Sequence, residues 1–310
     1  MGILHLNTFI NQQCGEHIQT YSLSILKKKK IVIDMQTYLY LFLCENGTLM
    51  ENVYLMCTLF VKYEIIPLFV FDGRKTTVVN KTNKRIQRKE NRSKIINNVL
   101  LNPDKIISES KFRVLKRQVV RVTTAQIKQI QDLIKSFGFT YLDATGEADE
   151  ICAHSTITNK THSCVSEDTD MFAYGCMKIY RNLNLTNQTI SLVNVKGVLK
   201  KLNMSPEELR QVCVLANNDY NCSQENVPSI YFVIEQFQKY KTQNCSQPFY
   251  QWFIINNNCK DDEEKRFERI YNIYDIFAKS TPLPTISFHN GPVQYKQLQT
   301  TMESDGFYYI

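Results

Sequence analysis

The sequence predicts an α/β protein in which a parallel central sheet is flanked by helices, with a basic segment inserted and a helical C-terminal region. Three observations carry that prediction. Short apolar runs alternate with longer amphipathic ones over roughly the first 220 residues, the pattern of strands whose two faces are both covered by helices. Four of the short runs end in, or are closely followed by, acidic residues. Positive charge is concentrated in one stretch between the second and third of them.

The elements follow in order. "KIVID" (30–34) is a short apolar strand preceded by Lys27 to Lys30, and "TYLYLFLCENG" continues as a helix that stops near Gly47. "VYLMCTLFVKYEI" (53–65) is a second helical run, and "IPLFVFDG" (66–73) a second buried strand. After the basic segment, "TTAQIKQIQDLIKSFG" (123–138) is amphipathic: Ile127, Ile130, Leu133, Ile134 and Phe137 share a face, and Gly138 ends the helix. "FTYLDA" (139–144) is a third strand, "EADEICAHS" starts a helix, and "SCVSE" is a fourth strand.

The acids then fall into a pattern. Asp34 ends the first strand and Asp72 the second; Glu147 and Asp149 follow the third; Asp168 and Asp170 follow the fourth. Open α/β sheets bind ligands outside the carboxyl ends of their strands. So many carboxylates crowded there could not all stay ionised without cations. An all-oxygen donor set suits Mg²⁺ or Mn²⁺, and its most familiar use is two-metal hydrolysis of phosphodiesters. The alternative for "SEDTD" is a solvated turn with Asp170 as a helix N-cap.

Composition narrows the class. With 310 residues the chain has material for one large domain or two small ones, and 10 Gly and 8 Pro exclude a linker or collagen-like sequence. No apolar run reaches the length of a membrane span, and the opening residues lack a basic-then-apolar leader pattern. Leu6 stands where N-myristoylation requires Ser or Thr. The 10 Cys include no CxxC pair, which points to reduced thiols and neither a zinc site nor a disulfide frame. The expectation is a protein working inside the cell, not secreted, and without a membrane partner.

Net charge is +7, but residues 74–121 hold 15 Lys and Arg against Glu90, Asp104 and Glu109, so the remainder is net acidic. Such a block suggests a polyanion partner; the alternative is a solvated charged loop.

Several motifs together resemble the flap endonuclease/XPG-type 5′ nuclease family. "MGI" opens the chain. "IVIDMQTYLYLF" is similar to the family's strand, metal-binding Asp and following helix, and "PLFVFDG" to its second acidic motif. "GFTYLDATGEADEICA" resembles the paired-acid block, with Asp149 where Glu is usual. "CVSEDTDMFAYG" resembles the next acidic pair, and "VCVLANNDYN" the segment holding the last acid, Asp219, which by itself reads as a polar turn.

The resemblance implies a PIN-like nuclease core. Its N-terminal part would be residues 1–73, a basic helical arch or gateway would occupy 74–122, the internal part of the core 123–225, and a divergent helical region 226–310. It implies two Mg²⁺ (or Mn²⁺) per active site. Asp34, Asp72, Glu147 and Asp149 would surround one ion, and Asp168, Asp170 and Asp219 would serve the second, with Asp149 able to stand between them. Glu167 matches no metal position.

Lys81 and Arg88 are seven residues apart, two helical turns, and so would share a face. The resemblance gives them the scissile phosphate, with Lys84 and Arg85 as substitutes if the alignment shifts by two; Arg74 and Lys75 would join these in holding nucleic acid. Tyr40, six residues after Asp34, stands where the family stacks a tyrosine on a base; the alternative is a core tyrosine. Gly2 matches the family's small N-terminus beside the active site.

The implied function is a metal-dependent, structure-specific 5′ nuclease, cutting flaps or degrading DNA from a 5′ end in replication, repair or recombination. It would act as a monomer on single-strand/duplex junctions, in a nucleus or at a viral replication site. A 5′→3′ exoribonuclease and an inactive nucleic-acid-binding scaffold are the alternatives. Two departures stand out. The family's glycine-rich turn after the last acid is replaced by a glycine-free "NDYNCSQENVPSIYF". At the C-terminus, "QTTMESDGFYYI" resembles a sliding-clamp peptide in Gln299, Met302 and Phe307-Tyr308, with the aromatics two positions late.

Overall fold

The computed structural model describes residues 2–43, 48–73, 94, 122–221, 227–243, 245–257, 263–279, 288 and 290–307. In chain order the elements are α1 (Leu6–Gln13), β1 (Ile18–Ser22), β2 (Lys30–Asp34), α2 (Met35–Phe42), α3 (Leu49–Lys62), β3 (Ile66–Phe71), α4 (Thr124–Ser136), β4 (Thr140–Asp143), α5 (Ala148–Ile157), β5 (Ser163–Val165) and α6 (Asp170–Tyr174). Then come β6 (Lys178–Asn184), β7 (Thr189–Asn194), α7 (Val195–Leu202), α8 (Pro206–Leu215), α9 (Ile230–Thr242), α10 (Phe249–Asn256), α11 (Glu263–Ala278) and α12 (Tyr295–Glu303).

The strands form one mixed sheet in the order β1-β7-β6-β5-β2-β3-β4. The expected α/β architecture with a mostly parallel sheet is therefore borne out. The sequence reading did not contain β1, β6 or β7. β6 and β7 are neighbours joined by only four residues, a connection short enough for a hairpin but not for a parallel crossover.

Two compact units make up the fold, interleaved along the chain. One comprises Met1–Thr20, Asp149–Arg181 and Ser191–Pro284; the other comprises Tyr21–Ala148, Asn182–Ile190 and Thr285–Ile310.

In the second unit β2, β3 and β4 are parallel, with Asp34 opposite Val70 and Phe71 opposite Asp143, so their carboxyl ends lie along one edge. β2 and β3 are buried along nearly their whole length, as strands covered on both faces must be. Helix starts are fixed by reciprocal capping boxes: the Thr48 hydroxyl accepts the Glu51 N–H at 3.1 Å, and the Thr123 hydroxyl accepts the Gln126 N–H at 3.2 Å. Gly138 ends α4 at φ +78°, where its backbone passes too close to Gly291 for any side chain. The Phe69 ring packs between Phe60 and Phe139, at 6.2 and 5.9 Å.

In the first unit β5 and β6 are parallel, with Val165 opposite Tyr180. Helix α8 starts at Ser205 and Pro206, where the Ser205 hydroxyl accepts the Glu208 N–H at 3.1 Å. It packs against α6, α9, α10 and α11. Phe277 of α11 is buried and meets Tyr174 at 5.0 Å and Tyr220 at 5.4 Å, both edge-on. Tyr174 closes α6 and Tyr220 follows Asp219, so one ring supports both the helix that begins at Asp170 and the loop that carries Asp219.

Candidate metal and nucleic-acid site

Each predicted carboxylate is held by the backbone around it. Asp34 ends β2 and caps α2: its Oδ1 accepts the Gln36 N–H at 3.1 Å and its Oδ2 the Thr37 hydroxyl at 3.0 Å. Exposed N–H groups and the helix dipole favour a negative charge there. Asp72 lies one residue beyond β3 and accepts the Ala148 N–H at 2.9 Å. Ala148 directly follows Glu147. The approach is tightened by the Gly73 N–H, which donates to the Gly146 carbonyl at 2.8 Å, and by the absence of space for a side chain on Gly73. The structure thus brings Asp72 to the turn that carries Glu147.

In the other unit, Asp149 is buried in the first turn of α5, its Oδ1 accepting the Glu150 N–H at 2.7 Å. Asp168 and Asp170 are both buried. The Ser166 hydroxyl accepts the Asp168 N–H at 3.0 Å, and Asp168 Oδ1 accepts the Asp170 N–H at 3.1 Å. The N-cap reading of Asp170 is not what the fold adopts: Thr169 occupies the cap without a side-chain bond to the helix, and Asp170 is the first residue of α6.

The N-terminal segment closes over this loop. The Ile3 N–H donates to the Thr169 hydroxyl at 2.7 Å, and the Leu4 N–H to the Asn217 carbonyl at 2.8 Å. Gly2, at φ +84°, lies against both acids; a Cβ there would meet Asp168 Oδ1, Thr169 Oγ1 and Asp170 Oδ1, the last at 2.7 Å. Gly2 is therefore beside the acidic pair.

Glu167, which matched no metal position, has a structural partner. Arg181, buried on β6, forms an ion pair with it at 3.5 Å, donates to its carbonyl, and donates to Asn7 Oδ1 at 2.6 Å. Arg210 of α8 donates to the Ala173 and Tyr174 carbonyls at 2.9 and 3.2 Å, completing the C-terminal end of α6. Asp219 lies in the loop after α8, between buried Asn218 and Tyr220. Sequence reasoning missed Arg181 and Arg210, because no local pattern announces a partner that is distant in sequence, and Asn218, whose local partners are hidden in a stretch that reads as a polar turn.

Tyr40 is half-buried, whereas Tyr38 and Phe42 on the same helix are in the core. Arg74, Lys75, Lys81, Lys84, Arg85 and Arg88 lie outside the described residues. At the C-terminal end, Met302 is buried and the Phe307 ring stacks on Tyr54 at 6.2 Å.

Among the described residues, no three His, Cys, Asp or Glu side chains are already gathered as a metal centre. The chemistry of the donors fits hard divalent cations, because they are carboxylate oxygens. The thiols nearby are buried. Burial first, and the charge of Asp170 second, push the Cys213 thiol well up. Burial, then Cys164 and Asp149, do the same to Cys176. Both sulfurs are therefore neutral thiols in the metal-free protein.

Two family models match the chain: the XPG N-terminal domain over residues 1–95 and the XPG I-region over residues 138–219, between them more than half of its length. The chain belongs to the XPG-type 5′ nuclease family. All seven predicted carboxylates, and Lys81 and Arg88, fall inside the matched stretches.

Among XPG-type relatives, flap endonuclease 1 of Methanococcus aeolicus is 24% identical over 64% of this chain and 65% of that protein. The RAD2-like endonuclease 369L of Invertebrate iridescent virus 6 is 25% identical over 89% of this chain and 80% of that protein. Flap endonuclease 1 of Theileria annulata is 28% identical over 77% of this chain but 50% of that protein. The chain thus spans between half and two thirds of the length of these two flap endonucleases.

In fold, the chain is similar to the catalytic core of Rad2 in complex with DNA substrate, at a TM-score of 0.68 and 21% identity, covering 98% of this chain and 95% of that one. It is similar also to flap endonuclease-1 from Methanococcus jannaschii, at 0.65 and 20%, covering 96% and 94%. The Holliday junction-resolving enzyme GEN1, in complex with product DNA, Mg²⁺ and Mn²⁺, matches at 0.62 and 16%, covering 95% and 71%. No helix among the described residues is long and apolar enough to cross a membrane.

Proposed function

We propose that this chain is a divalent-metal-dependent, structure-specific 5′ nuclease that cleaves DNA phosphodiesters at single-strand/duplex junctions in replication, repair or recombination. The observation that carries the reading is the packing of Gly2 against Asp168 and Asp170, which leaves bare backbone beside a buried acidic pair. Membership of the XPG-type family and the DNA named with its structural neighbours support it.

In this reading Asp34, Asp72, Glu147 and Asp149 hold one Mg²⁺ or Mn²⁺, and Asp168, Asp170 and Asp219 hold a second. When bound, such ions neutralise charge on the phosphoryl group and ease ionisation of the attacking water. The chain's own side chains do the rest. The backbone bonds to Asp34, Asp72 and Asp168 fix those carboxylates before substrate arrives, so little reorganisation accompanies the reaction. Lys81 and Arg88 contact the scissile phosphate and stabilise its developing charge. Tyr40 stacks on a nearby base, and Arg74, Lys75, Lys84 and Arg85 follow the backbone.

The enzyme acts as a monomer inside the cell, in a nucleus or at a viral replication site; the iridescent-virus relative is consistent with the latter. Cleavage of matched flap DNA, gapped DNA and RNA, each with Mg²⁺, Mn²⁺, Ca²⁺ or EDTA, tests the reading. DNA flap or 5′-end cleavage with Mg²⁺ or Mn²⁺, and binding without turnover in Ca²⁺, are expected. Full activity in EDTA would sink it, and exclusive cleavage of RNA would reassign the substrate.

A further inference from the structure

We infer that Asn218 and Asn221 are positioning residues that set the backbone around Asp219, and through it the affinity of the second metal site. The inference rests on the ligand role proposed above for Asp219.

Helix α8 ends at Leu215, and its last carbonyls need partners that the helix cannot supply. Here two side-chain amides supply them. Asn218 Nδ2 lies 3.1, 3.0 and 3.0 Å from the carbonyls of Cys213, Val214 and Ala216. Asn221 Nδ2 donates to Ala216 at 2.8 Å and to Val214 at 3.3 Å. The same two side chains also hold the loop. Asn218 Oδ1 accepts the N–H groups of Tyr220 at 2.9 Å and Asn221 at 3.2 Å, while Asn221 Oδ1 accepts the Asn218 N–H at 2.8 Å.

The peptide N–H groups at 218, 220 and 221 are therefore all fixed by this pair, and Asp219 sits inside the wrap. Both asparagines are buried, at 1% and 5% exposure, so water is a poor replacement for any bond they lose. Tyr220 is anchored on Phe277, which holds the far side of the loop. Supports of this kind, removed from a metal site, typically weaken the metal by about 10–100-fold.

Asn218→Asp is nearly isosteric, keeps the acceptor for Tyr220 and Asn221, and turns an oxygen toward the carbonyls of Cys213, Val214 and Ala216. Asn221→Ala removes the acceptor for the Asn218 N–H but leaves the side-chain bonds of Asn218. Mn²⁺ binding to the full chain, without DNA, is followed by the spectroscopic signal of free Mn²⁺, with thermal melting to establish that each variant is folded.

Both variants are expected to weaken one Mn²⁺ site about tenfold or more, the site that Asp219→Asn also weakens. The double variant Asn218→Asp/Asp219→Asn should bind no more weakly than Asp219→Asn alone, because the asparagine acts through the aspartate. If Asn218→Asp does not fold, Asn221→Ala carries the test. Wild-type Mn²⁺ isotherms in the folded asparagine variants, with Asp219→Asn weakened, overturn this inference and leave the metal assignment standing. A wild-type isotherm for Asp219→Asn removes both.

Discussion

Gly2 lies on Asp168 with no room for a side chain, its backbone at φ +84° and its Cα facing the carboxylate that also accepts the Asp170 N–H. Two costs would follow from a methyl group there. An L-residue at positive φ costs roughly 1–2 kcal/mol. The methyl would also displace Asp168 and Asp170, and a shift of about 1 Å in a catalytic group lowers rates by around 10²-fold. Gly2→Ala is expected to lower the single-turnover cleavage rate by about that factor while the melting temperature moves only a few degrees. An unchanged rate would detach the N-terminal segment from the chemistry.

Asp168→Asn and Asp170→Asn are expected to abolish cleavage and leave DNA binding largely intact. In the proposed reading binding affinity resides mostly in cationic contacts to phosphate, whereas these acids serve the transition state. Paired cleavage and binding titrations, the latter in Ca²⁺, separate the two effects. Wild-type cleavage by the double variant would remove the acidic pair from the site.

Phe277 reaches both Tyr174 and Tyr220 from α11. Its truncation leaves a cavity beneath α6 and beneath the Asp219 loop. Phe277→Ala is expected to destabilise the fold by about 3–5 kcal/mol, measured by urea unfolding. An effect within about 0.5 kcal/mol, the size of an ordinary surface change, would contradict the packing described.

The arrangement of strands and acids could be read because its signals are local. β2 and β3 are continuous apolar runs, and each meets its acid within a residue of the strand end. Thr123 with Gln126, and Gly138 after Phe137, mark both ends of α4 within a few positions. The β6–β7 hairpin was missed although Asn184 and Asn187 mark its turn, because a pattern of alternating strand and helix predicts no hairpin there. Arg181 and Arg210 were illegible for another reason. Arg181 finds Asn7 174 positions away, and Arg210 finds Ala173 37 positions away; no periodicity encodes either contact. Asn218 hid in a stretch that reads as a polar turn, since the same asparagines that favour turns can also cap a helix end.

Lys81 and Arg88 are expected to play a role distinct from that of the other cations of the basic segment. They are seven positions apart, so a helix there would present both on one face. Lys111, Lys116 and Arg117 lie further along, beyond "NPDK", and all five residues fall outside the described ones. Cations that act on the scissile phosphate stabilise charge that develops during the reaction, so their loss lowers the rate even at saturating DNA. Cations that hold the backbone act equally on bound substrate and transition state. Their loss raises Kd and lowers the salt slope by roughly one unit per lost contact, without changing the saturated rate. Lys81→Ala and Arg88→Ala are expected to behave in the first way, and Lys111→Ala, Lys116→Ala and Arg117→Ala in the second. Single-turnover kinetics over a range of DNA and salt concentrations distinguish them. If Lys81→Ala and Arg88→Ala raise Kd with no loss of saturated rate, as Lys116→Ala should, both residues are electrostatic anchors and the scissile phosphate must be served by other groups, with Lys84 and Arg85 the next to test.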